Sequence, residues 1–192
     1  MTILILGLVI FLGMHCISIF ALQWRNNLAD KFGDMGWKAV FSLVSLIGLA
    51  LIITGYGAAR MEPVMLYSPP VWTRHITMLL MVPVFPMLIA AYLPGKIQTT
   101  LKHPMLVAVK LWALSHLIAN GMLADVLLFG SFLAWAVIDR ISLKRRTALR
   151  ATPKLPARSY NDLVAIFGGL ALYVVFLLWG HVHLIGVSPM GR

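Results

Sequence analysis

The chain has 192 residues, of which 60% are apolar and only 11% are charged. A soluble domain averages about 45–50% apolar and about 25% charged residues, so this composition excludes an ordinary water-exposed surface. The net charge of +10 could indicate a nucleic-acid-binding protein. However, the cations lie between apolar runs, which favours a membrane protein oriented by its basic loops, with membrane lipid and no nucleic acid as its partner.

Six apolar runs predict membrane-spanning helices, since a span needs about 20 apolar residues to cross about 30 Å of hydrocarbon. In chain order they cover residues 2–23, 38–58, 71–93, 103–120, 122–139 and 162–185. The runs lack the strict alternation of a transmembrane barrel. We therefore predict an all-α, polytopic transmembrane helical bundle of about six spans, forming a single domain over 1–192. The fourth and fifth runs are separated only by Asn120-Gly121 and predict a tight helical hairpin or a partly re-entrant pair.

The distribution of lysine and arginine predicts the orientation of the spans. Twelve of the 16 cations fall in the loops 24–38, 94–102 and 140–161, and three fall on the opposite side. Cytoplasmic loops carry the excess of positive charge, so both termini are predicted to be periplasmic. The basic loop 140–161 is interpreted as an orientation signal, with contact to anionic lipid or to a partner protein as the alternative.

Proline and small residues predict how the helices bend and pack. Pro83 and Pro86 lie inside the third run and predict a kink there. Small residues recur near one face of the second and sixth runs, a pattern typical of close helix approach in membranes. Its members are Ser42, Ser45, Gly48, Gly55, Ala165, Gly168 and Gly169.

Histidines are the first candidates for chemistry, because polar groups at membrane depth are costly. A neutral histidine buried among helices often only hydrogen-bonds a neighbour. His15 and His116 nevertheless lie deep in different spans, and two facing imidazoles could bind haem iron. His103 begins the fourth span and lies shallower, which makes it the poorer partner of His15. The other histidines, near span ends, are His75, His181 and His183.

Few other residues indicate a reaction. Trp112 shares a helix face with His116, and Arg25 follows the first span, where it could hold a haem propionate, hold a lipid phosphate or simply orient the chain. All six acidic residues lie in loops or near span ends. This placement disfavours a paired-carboxylate mechanism, and no histidine cluster with acids predicts zinc.

Several motifs together resemble the NnrU family. They are the run KHPML at 102–106, the run KLWALSHL at 110–117, the pair Asn120-Gly121, the run LFGSFLAW at 128–135, His15 followed by Arg25, and the stretch 45–57. The resemblance covers residues 1 to about 140 well and the last span more loosely. The chain departs from the family pattern at Met122, where an acidic residue often stands.

The resemblance carries expectations about function. NnrU proteins are bacterial inner-membrane proteins associated with nitric oxide and nitrite metabolism in denitrifiers. The family is similar to 15-cis-zeta-carotene isomerase, which binds haem b through two histidines and isomerises a carotenoid in a redox-dependent way. By motif position its axial histidines correspond to His15 and His116, and His103 matches a further histidine.

We therefore expect a haem-b protein of the bacterial inner membrane with a redox or isomerase-like role. His15 and His116 are the expected axial ligands, and His103, Arg25 and Trp112 are expected near the haem. One alternative is a non-enzymatic accessory or assembly factor that acts with nitrogen-oxide respiratory enzymes. The other is a small-molecule transporter, against which the lack of a visible repeat argues.

Overall fold

The structure is a computed structural model that describes residues 1–146 and 155–190. In these ranges the chain is almost wholly helical, with no strand beyond an isolated bridge between Met65 and Met122. The helices are α1 (Thr2–Phe20), α2 (Leu22–Met61), α3 (Thr73–Met81), α4 (Val84–Ala90), α5 (Lys96–Leu101), α6 (Pro104–Ala119), α7 (Leu123–Leu143), α8 (Asn161–Val175) and α9 (His181–Ile185), with a π-helical turn at Phe176–Gly180.

Five helical stretches in the described part of the chain are long and apolar enough to cross a membrane. They are Thr2–Phe20, Leu22–Met61, Thr73–Ala90, Leu123–Leu143 and Asn161–Ile185. Helix α6, in the position of the fourth predicted span, is also apolar but has only 16 residues. The all-α transmembrane fold is thereby confirmed, and the protein is a multi-pass membrane protein. The number of spans and the side on which the termini lie remain predictions.

The segment 24–38, interpreted from the sequence as a loop, is helical except at one residue. Gly33 has φ 75° and ψ 158°, which breaks α2 into helical segments 22–32 and 34–61. Ala21, with φ −134° and ψ 44°, separates the first of these segments from α1. The prediction of a loop is wrong because it treats both Gly33 and Gly36 as loop residues, whereas only Gly33 has non-helical backbone angles.

The predicted kink in the third span is present. Helix α3 ends at Met81 and α4 begins at Val84, so the helix is interrupted at Pro83. A proline ring removes a backbone donor and clashes with the preceding turn, which accounts for the break.

The basic loop begins later than predicted, because α7 continues to Leu143. Arg146, just beyond the helix, forms an ion pair with Asp139 of α7. One of the cations predicted for the loop is therefore paired with an acidic residue of the helix. Arg150, Pro153 and Lys154, which belong to the same predicted loop, lie outside the described residues.

The chain divides into two compact units. Unit 1 comprises Met1–Ser68 and Gly121–Arg146, and unit 2 comprises Pro69–Asn120 and Thr147–Arg192. In unit 1, α1 packs along α2 and also against α7. In unit 2, α4 packs against α8 and α6, and α3 packs against α6.

Glycines permit the close helix contact within unit 1. A Cβ added at Gly7 would lie 2.6 Å from the backbone nitrogen of Ile52, and one at Gly48 would lie 2.8 Å from that of Phe11. These pairs define one antiparallel register between α1 and α2. The predicted small-residue contact is confirmed for Gly48, which faces the backbone of α1.

A glycine plays the same part in unit 2. A Cβ at Gly169 of α8 would collide with the backbone of Pro86 in α4. Val84, Met87 and Ala108 form the buried cluster beside this contact, where α4 meets α6. The proline-kinked helix is therefore held between two neighbours, which is the setting in which membrane helices tolerate such breaks.

Candidate functional site

His15 lies within an aromatic cluster of unit 1. Its ring stacks on Phe11 at 4.3 Å between centroids and meets the edges of Phe41 at 4.9 Å and Trp135 at 5.7 Å. Its Nδ1 lies 2.7 Å from the carbonyl oxygen of Phe11. Since a carbonyl only accepts, Nδ1 must donate, and the neutral imidazole then presents the lone pair of Nε2 as a metal ligand.

Two buried donors near His15 have no hydrogen-bond partner in the described structure. They are the indole Nε1 of Trp135, whose ring touches His15, and the hydroxyl of Ser45 on α2. The register of α1 and α2 puts Ser45 level with Met14, the residue before His15 in the chain. An indole N–H only donates, so its missing partner is an acceptor, such as an oxygen of a bound group or of water.

His116 has the same local geometry in unit 2. Its Nδ1 lies 2.8 Å from the carbonyl oxygen of Trp112, one turn earlier in α6, and the two rings lie 5.7 Å apart. Nδ1 again donates, which leaves Nε2 as the acceptor. Thr77 of α3 donates to the carbonyl of Ser115 at 2.7 Å and so fixes this turn of α6 against its neighbour. The predicted pairing of Trp112 with His116 on one helix face is confirmed.

A third histidine, His183, forms the same hydrogen bond to its preceding helical turn. His183 also places Nδ1 2.8 Å from the carbonyl four residues earlier, that of Trp179, and stacks on that ring at 4.5 Å. The bond to the preceding turn therefore also occurs at a histidine outside the proposed ligand pair. What sets His15 and His116 apart is that they are half-buried, whereas His183 is exposed.

His103 lies at the start of α6, immediately before Pro104. The preceding residue, Lys102, has φ 62° and ψ −43°, and the N–H of His103 donates to the carbonyl of Leu101 at 2.7 Å. This tight γ-turn is rare for a residue with a side chain. It fixes where α6 begins, and His103 lies in unit 2 with His116, thirteen residues before it in the same helical stretch.

Arg25 lies in the first turn of α2, in unit 1. Its Nη1 donates to Oδ1 of Asn26 at 2.9 Å. Its Nε is buried and has no partner among the described residues. A desolvated guanidinium N–H without an acceptor is costly, so Arg25 is suited to bind an acceptor oxygen, such as that of an anionic group.

The sequence did not identify one buried pair. Asp125 is fully buried at the start of α7, and Tyr56 of α2 donates to its Oδ1 at 2.5 Å. From the sequence, Asp125 was only an acid near a span end. Its position three residues after Met122 could have suggested a helix cap, but nothing local indicates the partner 69 residues earlier.

The candidate residues therefore divide between the units. Unit 1 holds His15 and Arg25, and unit 2 holds His103, Trp112 and His116. Within residues 1–146 and 155–190, no group of three or more His, Cys, Asp or Glu side chains is arranged to hold a metal ion. Haem iron needs fewer protein ligands than a free metal ion, because the porphyrin supplies the others.

Comparison with known proteins assigns the family. A family model described as NnrU protein matches residues 3–189, nearly the whole chain. No curated protein and no solved structure matches. The apolar helices, the motifs around His103 and His116, and this match lead to one conclusion: the chain belongs to the NnrU family.

Proposed function

We propose that this NnrU-family protein binds haem b in the bacterial inner membrane, with His15 and His116 as the axial ligands of the iron. The observation that carries the proposal is that both imidazoles are half-buried on apolar helices and both commit Nδ1 to a carbonyl of the preceding turn. Each histidine therefore has its ring orientation and tautomer fixed and its Nε2 lone pair directed away from its own helix turn.

Support from unit 1 comes from the surroundings of His15. The rings of Phe11, Phe41 and Trp135 contact the imidazole and give it a largely aromatic setting. The unpartnered indole N–H of Trp135, whose ring contacts His15, and the unpartnered hydroxyl of Ser45 are unusual, since buried polar groups are nearly always paired. A bound cofactor, or water that accompanies it, would supply the missing acceptors.

Support from unit 2 comes from the rigidity of the turn that carries His116. The carbonyl of Trp112 accepts the hydrogen bond from the imidazole, the two rings are neighbours, and Thr77 donates to the carbonyl of the adjacent Ser115. Trp112 thus acts as a positioning residue.

When bound, haem b supplies a redox-active iron whose potential depends on its ligands and on how dry its surroundings are. The chain's own part would be to hold two neutral imidazoles on apolar helices. If Nε2 held the iron, the carbonyls of Phe11 and Trp112 would keep accepting hydrogen bonds from the Nδ1–H groups and would raise the basicity of each imidazole. His103, at the start of α6, would be a further residue near the haem.

The wild-type protein provides the first test. Purified in mild detergent after haem-sufficient expression, it should show a Soret band, and extraction into alkaline pyridine should give the spectrum of haem b. A preparation that is folded and monodisperse but lacks a Soret band would contradict the proposal. The extraction step separates haem b from covalently attached haem.

The biological role proposed for this site is in nitric oxide and nitrite metabolism, alongside nitrogen-oxide respiratory enzymes. Membership of the NnrU family is what supports this link. Deleting the gene in a denitrifying host should lower nitrite or nitric oxide reductase activity, and restoring wild-type protein should recover it. Unchanged reductase activity in the deletion strain would contradict the link. A carotenoid isomerase reaction is not proposed, because similarity to a family does not by itself carry a reaction.

A further inference from the structure

Residues 22–32 form a short helix set off from both neighbouring spans. Ala21, with φ −134°, ends the continuous helix from α1, and Gly33, with φ 75° and ψ 158°, separates the segment from the long span 34–61. The segment has eleven residues between two backbone breaks, too few to cross a bilayer. It is therefore a distinct helical element at the end of the first span.

Nine of the eleven side chains of segment 22–32 lie on two faces, and Leu22 and Ala29 lie between these faces. At about 100° per residue, one arc of about 120° contains three apolar residues with a cation near each edge. The members of this aromatic-cationic face are Lys31, Trp24, Leu28, Phe32 and Arg25. Uncharged polar and acidic residues occupy the opposite side, namely Asn26, Asp30, Gln23 and Asn27.

Large aromatic side chains on the aromatic-cationic face are exposed. Trp24 is 53% exposed and Phe32 is 62% exposed. The ammonium of Lys31 lies 5.5 Å from the ring centroid of Phe32, which keeps this cation on the same face. A helix with Trp, Phe and Leu on one side and cations at its edges is typical of elements that lie in the plane of the membrane interface.

Arg25 gives the segment a candidate anion-binding side chain. Only one of its five donors has a partner in the described structure, the Nη1 that binds Asn26, and its Nε is buried without an acceptor. A guanidinium has no acceptor atoms of its own and prefers carboxylate or phosphate oxygens. Next to exposed aromatic side chains at the end of a span, the nearest plentiful anion is a phospholipid phosphate.

We propose that segment 22–32 lies in the headgroup layer on the side where α1 ends, with Trp24 and Phe32 among the acyl chains and Arg25 bound to the phosphate of an anionic phospholipid. Lys31 is the second cation of the same site. The two breaks at Ala21 and Gly33 allow the segment to leave the direction of both spans and follow the interface. This site is independent of the proposed haem ligands.

Native mass spectrometry of the full-length, detergent-purified protein tests the site. Phosphatidylglycerol or phosphatidylcholine with the same acyl chains is added, and retained lipid is measured for wild type, Arg25→Gln and Lys38→Gln. Lys38 is an exposed cation beyond the kink in the same helix, and so serves as the matched control. Arg25→Gln should lower phosphatidylglycerol retention about fivefold, as expected for about 1 kcal/mol per cation at an anionic surface, while Lys38→Gln should stay near wild type.

Several other outcomes would overturn the proposed lipid site. Equal retention by Arg25→Gln and wild type, or equal loss in both variants, would overturn the site. Should Arg25→Gln keep its lipid but lose haem absorbance, Arg25 holds a haem carboxylate and the lipid assignment is wrong. If Arg25→Gln does not fold, Lys31→Gln decides, since it should lower phosphatidylglycerol retention in the same direction, and no change there would also overturn the site.

Discussion

Tyr56 of α2 donates its phenol hydroxyl to the buried carboxylate of Asp125 at the start of α7, with 2.5 Å between the oxygens. The N–H of Met122 donates to the other carboxylate oxygen at 3.0 Å. Asp125 therefore caps α7 and ties it to α2 at one end of unit 1. Further along these two helices, Phe41 of α2 and Trp135 of α7 contact the ring of His15.

Removing the Tyr56 hydroxyl should destabilise unit 1. Tyr56→Phe leaves one oxygen of a fully buried carboxylate without its donor, which costs about 1–2 kcal/mol within a membrane protein. The measurement is the unfolding midpoint in a denaturing detergent titration. Tyr160→Phe is the matched control, because that ring is 52% exposed. Equal midpoints for wild type and Tyr56→Phe would show that the bond contributes nothing.

Close contact between α1 and α2 should be sensitive to a single methyl group. Gly48→Ala puts a Cβ 2.8 Å from the backbone nitrogen of Phe11, so the helices must separate at a cost of about 1–3 kcal/mol. Gly57→Ala, on the same helix, meets nothing within 4 Å and should be harmless. Thermal aggregation of the two variants in detergent gives the comparison. Indistinguishable thermal stability in the two would mean that the register derived for α1 and α2 is wrong.

The break in α2 should require glycine at position 33. Its backbone, at φ 75° and ψ 158°, lies in a region that is essentially restricted to glycine. Gly33→Ala has space for its Cβ, so the expected loss of about 1–3 kcal/mol is purely conformational. Gly13→Ala in α1, also with open space, should keep or raise stability. Limited proteolysis near segment 22–32 should increase for Gly33→Ala, and an unchanged digestion pattern would argue against the strained turn.

The sequence predicted those parts of the fold that depend on local composition. Apolar runs located the long helices, Pro83 marked the kink, and Asn120-Gly121 marked the turn between α6 and α7. Segment 22–32 was missed because an amphipathic helix with four uncharged or acidic polar residues resembles a loop when only apolar length is counted. In place of the predicted loop, Gly33 alone breaks the helix between 22 and 61.

The surroundings of the candidate site were less predictable. The bond from His15 to Phe11 follows from helix geometry alone, since the acceptor is one turn earlier. The edge contact with Trp135 depends on how α7 packs against α1, which no local pattern encodes. The sequence did not indicate the partner of Asp125 either, because Tyr56 is distant in sequence. A tyrosine near a span end is also commonly an interfacial residue.

The absorption spectrum of matched histidine variants tests the central claim most directly. His15→Ala and His116→Ala should each abolish or shift the Soret band of the purified protein, because each removes one proposed iron ligand. His183→Ala, which removes an exposed imidazole with the same bond to its preceding turn, should leave the wild-type spectrum. Wild-type spectra for both His15→Ala and His116→Ala, in folded protein that carries haem, would contradict the account.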